Sequence, residues 1–398
     1  MGDMHNNRTQ ASLIHIFASV FLLIGLVACQ SDTDQQAKKP QLSATVGASA
    51  TAAVGERPVV IPEQHLPGPG GTPLATATVK ATATPNPNMP SPTPSGPNAA
   101  KRPVLAFYYP WYSTTTWCAC KMSDLPTVQY NSNDDMTIER QLNWAASAGI
   151  TGFISSWWGA GDQTDKNFVK LLNHAAALEQ RTQYHFASSI YFECDAPALQ
   201  GSAGTVSALS YILNHYGNDP HFFQWQGHPV VFFWDPLGNG RTLSYWAAIR
   251  QQVDPNHQMI WSAEGVSTDL LSVFDGLHLF SGGYWGLQSN TMPSVDQGFR
   301  SKIDAYNKAN GVQKIWAAGI IPGYDDTHVP GRVGTYIVPR NDGVTYTTSW
   351  QAAMSSKPDW ITITSFNEWY EGAQIEPSVV YGNQYLMLTQ QFTAQWEK

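Results

Sequence analysis

The sequence predicts a single (β/α)8 TIM barrel over residues 103–398. Three observations carry that expectation. Apolar, β-branched runs of strand length recur eight times, and each is followed by a longer segment of helical period. The turn after the first run is Pro110-Trp111-Tyr112 rather than a glycine-rich cradle, which argues against a doubly wound nucleotide-binding sheet. Aromatic and carboxylate residues cluster just beyond the carboxyl ends of the runs, where a barrel gathers its site.

The elements follow in order. Strand Val104–Tyr109 precedes a helix over Met136–Ala148, and strand Gly152–Trp157 precedes a helical pattern over Asn167–Arg181. His185–Phe192 then alternates with Thr205–Tyr216, Pro229–Trp234 with Leu243–Gln252, and Met259–Ala263 with a short helix at Asp269–Phe274. The last pairs are Gly276–Phe280 with Gln297–Asn310, Lys314–Ile320 with Ser349–Ser355, and Trp360–Ser365 with Asn383–Trp396.

Composition narrows the ligand. Charged residues make up 13% of the chain against 12% aromatics, and the formal charge is -8. That balance suits neutral, stackable ligands and excludes nucleic acid, since a polyanion would be repelled and no basic run is present.

The residues before 103 read as targeting and spacer rather than fold. Arg8 precedes an apolar stretch from Ala11 to Ala28 with the length and flanks of a secretory segment. It ends in Leu26-Val27-Ala28-Cys29, which resembles a bacterial lipobox. The resemblance implies a signal peptide over 1–28, cleavage before Cys29, lipidation of its thiol, and a membrane-anchored lipoprotein facing outwards. An uncleaved signal anchor is the alternative. From Cys29 to 102 the Thr/Pro/Ala-rich sequence buries too little apolar surface to order itself, so a disordered linker is expected. For Cys118, Cys120 and Cys194, one bridge joining Cys194 to either of the other two is expected, with all three free as the alternative.

The segment Ile361-Thr-Ile-Thr-Ser-Phe-Asn-Glu-Trp-Tyr-Glu-Gly-Ala-Gln-Ile-Glu-Pro377 carries the chemistry. Glu368 and Glu371 close a buried-type strand amid aromatics. Apolar surroundings and a neighbouring carboxylate raise carboxyl pKa values, so such a pair can hold one acid and one base near neutral pH, as breaking a glycosidic bond requires. Two glutamates can also simply open a helix. Here Asn367, Trp369, Tyr370, Gln374 and Glu376 crowd the same loop, a mixture of amides, acids and rings that suits a sugar. Further rim candidates for sugar binding are Tyr109, Trp111 and Tyr112 after the first strand, and Trp157 and Trp158 after the second. Glu193, Asp235, Glu264, Tyr284 and Tyr324 follow the third to seventh, and Arg340 is a hydroxyl partner from the loop beyond. Each aromatic has a packing reading and each acid a capping reading; their co-location favours a site.

Phe107-Tyr-Tyr-Pro-Trp-Tyr112, Ser155-Ser-Trp-Trp-Gly159 and Asn367-Glu-Trp-Tyr-Glu-Gly372 resemble glycoside hydrolase family 99, the endo-acting α-mannosidases. The resemblance spans about Pro103 to Lys398 and implies a barrel. It also implies a retaining, endo-acting glycosidase with Glu371 as general acid/base and Glu368 as the carboxylate that activates the sugar 2-hydroxyl. The residues alone equally allow Glu368 to be a direct nucleophile. Tyr370, Ala373 and Phe366 depart from the family's pattern of His, Thr and Trp, which alters the lining and leaves the pair intact. A mannose-containing polysaccharide is the expected partner and a monomer the expected state. No cofactor or metal is expected, because the carboxylate mechanism needs none and no Cys or His spacing fits a four-ligand zinc site. A non-catalytic carbohydrate-binding barrel and a hydrolase of another α-linkage, such as an α-glucanase, are the alternatives.

Overall fold

The computed structural model describes residues 102–280 and 292–398. The segment 1–28, Cys29, nearly all of the linker, and Tyr284 lie outside the described residues. Eight parallel strands form the barrel: β1 Val104–Tyr108, β2 Gly152–Trp157, β3 Ser189–Glu193, β4 His228–Trp234, β5 Ile260–Glu264, β6 Gly276–His278, β7 Ile315–Ile320 and β8 Trp360–Ile363. Each pairs with the next, and β1 returns to β8 with Val104 opposite Ile361, so the sheet closes on itself.

The helices among the described residues are α1 Asp135–Ser147, α2 Gln163–Thr182, α3 Gly201–Tyr216, α4 Leu243–Val253, α5 Met292–Asn310, α6 Val344–Ser355 and α7 Gln384–Trp396. Asp162 caps α2 by accepting from the Thr164 N–H at 2.8 Å, satisfying one of the helix's orphan donors. The short helix expected at Asp269–Phe274 is instead a 3-10 turn over Thr268–Ser272. With β6 beginning at Gly276, the connection is too short for a full α-helical crossover. The third strand starts at Ser189 rather than His185. The lead-in is spent on other partners, with Ala187 N–H donating to Thr151 O at 2.9 Å and Ser188 N–H to His221 O at 2.8 Å.

Alternation along the strands separates two cores. Leu105, Phe107, Ile154, Tyr191, Val230, Phe232, Ala317 and Trp360 point inwards and fill the barrel. Val104, Ala106, Phe153, Trp157, Phe192, Val231, Phe233, Trp316 and Ile363 point outwards against the helices. At the amino-terminal face the chain also closes: Arg102 Nη1 donates to Trp396 O at 2.8 Å, and its guanidinium lies 4.1 Å from that indole.

The disulfide expectation is corrected. Cys118 and Cys120 are bonded to each other in the long β1–α1 loop, and Cys194 is a free thiol. Cys120 is exposed whereas Cys194 is enclosed behind β3 at 2% exposure, its Sγ donating to Phe192 O. A bridge to either partner would have to pass through that packing.

Candidate active site

The site is built at the carboxyl ends of the strands. β8 ends at Ile363, and the chain then turns back on itself, with Ser365 N–H donating to Ala373 O and Phe366 N–H to Phe107 O, both at 2.8 Å. Gly372 allows this return. Its φ is +56°, and a Cβ there would sit 2.7 Å from Ser123 Oγ and 3.1 Å from Asp325 O. The result is that Glu368 and Glu371 are both buried, at 1% and 4% exposure.

The two carboxylates have different partners. Glu368 accepts a long hydrogen bond from Tyr112 Oη at 3.4 Å, and its backbone N–H donates to Ser365 Oγ at 2.6 Å. Glu371 accepts from Arg332 Nη1 at 2.9 Å, and the same nitrogen reaches Asp326 Oδ2 and Tyr324 Oη at 3.1 Å. Oε2 of both glutamates is buried without a hydrogen bond among the described residues. Burial raises the pKa of both, and the charge of Glu371 raises Glu368 further, while Arg332 pulls each back. Burial and the neighbouring charge thus make ionisation of Glu368 costly, while the contact with Arg332 favours the ionised form of Glu371.

Around them lies a ring of acids and aromatics. Burial pushes Glu193 up to about 8, against a 2.6 Å hydrogen bond from Ser156 Oγ, and Glu264 also to about 8. Glu193 and Glu264 each feel the charge of Glu371, and Glu264 also that of Asp235. Tyr109 is raised by burial and then by Glu368, Glu193 and Glu371, which places its hydroxyl among all three. Trp111, Trp158 and Tyr370 are partly exposed at the rim. Trp111 and Trp158 meet edge to face at 6.1 Å, and Tyr370 lies 5.9 Å from Tyr112.

Several sequence candidates belong to the scaffold instead. Trp157 is fully buried on the outer face, stacked on Phe192 and Tyr211, with its indole N–H donating to Asp165 at 2.8 Å. Adjacent strand residues face opposite ways, so only Trp158 turns to the mouth. Asn367 spends its amide on the backbone of Tyr109, accepting from its N–H at 2.7 Å and donating to its carbonyl at 3.0 Å. Trp369 is completely enclosed, its indole donating to Glu376 at 3.0 Å. Arg340 donates to Gly372 O and Gln374 O at 2.9 and 2.7 Å and packs over Tyr381 and Tyr385, so it braces the return loop from behind. Tyr112 and Tyr324 hold the carboxylate shell.

Two residues, Arg332 and His278, escaped sequence reasoning, while Glu376, expected to help the loop suit a sugar, is buried. Arg332 lies in the irregular excursion between β7 and α6, where no periodicity marks it; a lone cation beside Asp325-Asp326 was the available signal. Glu376 accepts from Tyr130, Trp369 and Gln141 in a buried network and is pushed up to about 7 by burial. His278 sits inside the barrel beneath the site, 3.0 Å from Ser262 Oγ, and burial lowers its pKa to about 3, so it stays neutral.

Comparison with known proteins matches residues 118–388 to glycosyl hydrolase family 99. The chain belongs to glycosyl hydrolase family 99. Among similar proteins, the glycoprotein endo-alpha-1,2-mannosidase of Mus musculus is 25% identical over 266 residues, covering 63% of this chain and 55% of the relative. The endo-alpha-1,2-mannosidase-like protein of Danio rerio is 28% identical over 276 residues, covering 63% and 58%. This chain therefore spans a little over half the length of the curated relatives it matches. In fold it is similar to the family 99 endo-alpha-mannosidase of Bacteroides thetaiotaomicron, with a TM-score of 0.62 at 22% identity over 74% of this chain and 97% of that one.

Proposed function

We propose that this barrel hydrolyses α-mannosidic linkages of an extracellular glycan, in an endo-acting and retaining manner, with Glu368 and Glu371 as the reacting carboxylates. The observation that carries the reading is the pair itself: two carboxylates buried beyond the end of β8, close enough for the charge of Glu371 to raise the pKa of Glu368, each with one oxygen unengaged. Membership of glycosyl hydrolase family 99 supports the linkage class.

In the proposed sequence one glutamic acid protonates the leaving glycosidic oxygen as the C1–O bond breaks, while the other carboxylate takes the proton of the 2-hydroxyl. The 2-oxygen then closes on C1 as a 1,2-anhydro sugar. Water, deprotonated by the first residue, opens that ring at C1 while the second residue returns its proton to the 2-oxygen, so both carboxyl groups are restored and two inversions give net retention. The family resemblance makes Glu371 the acid and Glu368 the base. A second reading exchanges them, because Arg332 stabilises the ionised form of Glu371 and so favours a proton on Glu368 rather than on Glu371. Tyr109, Trp111, Trp158, Tyr370, Glu193, Asp235 and Glu264 are the proposed sugar contacts.

The test is product release from a panel of α-mannans and α-glucans, with anomeric configuration followed by NMR, for the wild type, Glu368→Gln and Glu371→Gln. Cleavage of a mannan with retention, reduced about a thousandfold or more in each variant, supports the reading. Glycan binding without cleavage in all three proteins supports a sugar-binding barrel instead. An activated leaving group restores turnover only to the variant lacking the acid, which decides the roles. Export through 1–28 and anchoring at Cys29 are part of the same proposal. Lipid labelling that persists in Cys29→Ala contradicts the anchor.

A further inference from the structure

We propose that Glu179, His185 and His221 form a binding site for a borderline divalent metal ion, Zn(II) being the best fit, on the face of the barrel opposite the carboxylate pair. The three side chains come from separate places in the fold. Glu179 is in the last turn of α2, His185 lies in the lead-in to β3, and His221 follows α3 on the approach to β4. Their candidate ligand atoms all lie within 4.8 Å of one another. Glu179 Oε2 is 3.2 Å from His185 Nδ1 and 2.8 Å from His221 Nε2, and the two imidazole centroids are 5.4 Å apart.

These separations suit a tetrahedral ion. Ligand bonds of about 2.0–2.2 Å place neighbouring donors roughly 3.3–3.6 Å apart, so small rotations of the two rings and the carboxylate would bring all three into place. Two imidazoles and one carboxylate form a mixed N/O set that suits zinc better than the hard cations calcium and magnesium. Water would occupy the fourth position, since Glu179 and His185 are partly exposed, with side chains 40% and 37% accessible. The second ring nitrogen of His221 faces Asp219, with Nδ1 3.7 Å from Oδ1. At 3.7 Å this is a charge contact rather than a hydrogen bond; closing to about 3 Å would let Asp219 fix the tautomer and angle of the ligating ring. Asp219 is itself anchored by the His221 backbone N–H at 2.7 Å.

Position decides what the ion would do. Glu368 and Glu371 follow the carboxyl end of β8, whereas all three ligands precede or underlie the amino ends of β3 and β4. At that face of a barrel, interactions bear on stability rather than chemistry. A bound ion would tie α2 to the two lead-ins, which already pair through Ser188 N–H to His221 O at 2.8 Å and Phe223 N–H to Ser188 O at 2.8 Å. The ligands sit 6 and 36 residues apart in sequence, a spacing no zinc motif contains, which is why the expectation of no metal arose from sequence.

The experiment uses the untagged full-length chain, stripped with chelator and titrated with Zn(II) against a chromophoric competitor, in parallel with Glu179→Gln and His185→Ala. Both substituted side chains are partly exposed, so both variants are expected to fold, which circular dichroism checks. The wild type is expected to bind one equivalent at this site with a micromolar or tighter Kd, and each variant at least tenfold more weakly. Hundredfold excess of Zn(II) over Kd is expected to raise the wild-type Tm by about 5 °C and to leave the variants unmoved. Co(II) is expected to give a visible d–d spectrum in the wild type alone. Folded variants that bind Zn(II) as tightly as the wild type, or a wild type that binds none, overturn the proposal.

Discussion

Arg332 Nη1 lies 2.9 Å from Oε1 of Glu371 at a point where both side chains are almost completely enclosed, with side-chain exposures of 2% and 5%. A guanidinium so placed sets the charge of the carboxylate it touches and, through it, the charge of Glu368. Because Arg332 lowers the pKa of both glutamates, its removal raises both. Arg332→Met is therefore expected to move both limbs of the kcat/KM pH profile upwards, the acid limb by about 1–2 units, and to reduce activity at neutral pH. Arg332→Lys keeps the charge without the fork and is expected to fall between. A pH profile that stays in place would show that Arg332 serves the loop rather than the pair.

Tyr112 donates to Glu368 at 3.4 Å and accepts from the Trp369 N–H at 3.0 Å, so its hydroxyl links the first rim loop to the last. Tyr112→Phe leaves that buried N–H without its partner and Glu368 without its donor. About a tenfold loss in kcat with little change in KM is expected, together with a stability loss of about 1–3 kcal/mol. Steady-state kinetics and thermal melts separate the two effects.

Trp157 and Trp158 are neighbours in sequence with opposite fates. Trp157→Ala opens a hole between the barrel and α3 and is expected to cost about 3–5 kcal/mol of stability. Trp158→Ala is expected to melt close to the wild type and to raise KM severalfold, because its indole belongs to the mouth. Equal losses of stability in the two variants would contradict this division.

The same pair marks the limit of what the amino-acid sequence discloses. Strand and helix periods reveal seven of the eight βα units as α-helical because long amphipathic segments such as Phe168 to Leu178 repeat an unmistakable face. The crossover after β5 misleads because five residues carry apolar character without room for a helix. Glu368 and Glu371 are legible since a strand that ends in two acids violates the local pattern. The roles of Asn367, Trp369 and Arg340 are not, because each is decided by a backbone partner brought close only by the return loop, such as Tyr109 for Asn367. Arg332 is hidden for the same reason: its partner Glu371 is 39 residues away, across a segment without period.

Burial of acids gives the protein a definite pH response. Glu193 and Glu264 are raised to about 8, and Glu376 and Asp296 to about 7, in each case chiefly by burial. The native state thus holds protons that the unfolded chain has released above roughly pH 4–5. Stability from these groups is fully present below their unfolded values and is lost as pH rises through about 7 to 8. Thermal melts between about pH 5 and 9 are expected to show Tm falling with pH, and a Glu193→Gln, Glu264→Gln double variant is expected to flatten the fall. A Tm that rises across that interval would contradict the expectation.

The contact between Arg102 and Trp396 gives the barrel a circular character. Trp396 Nε1 also donates to Arg102 O at 3.2 Å, so the lead-in to β1 and the end of α7 are already neighbours. No strand is first except by the position of the break in the polypeptide. A gene rearranged to begin at the exposed turn beyond α5, near Gly311, and to join Trp396 to Arg102 by a few residues would encode the same ring of pairings. The order in which the ribosome delivers the βα units would then change while their neighbours stayed the same.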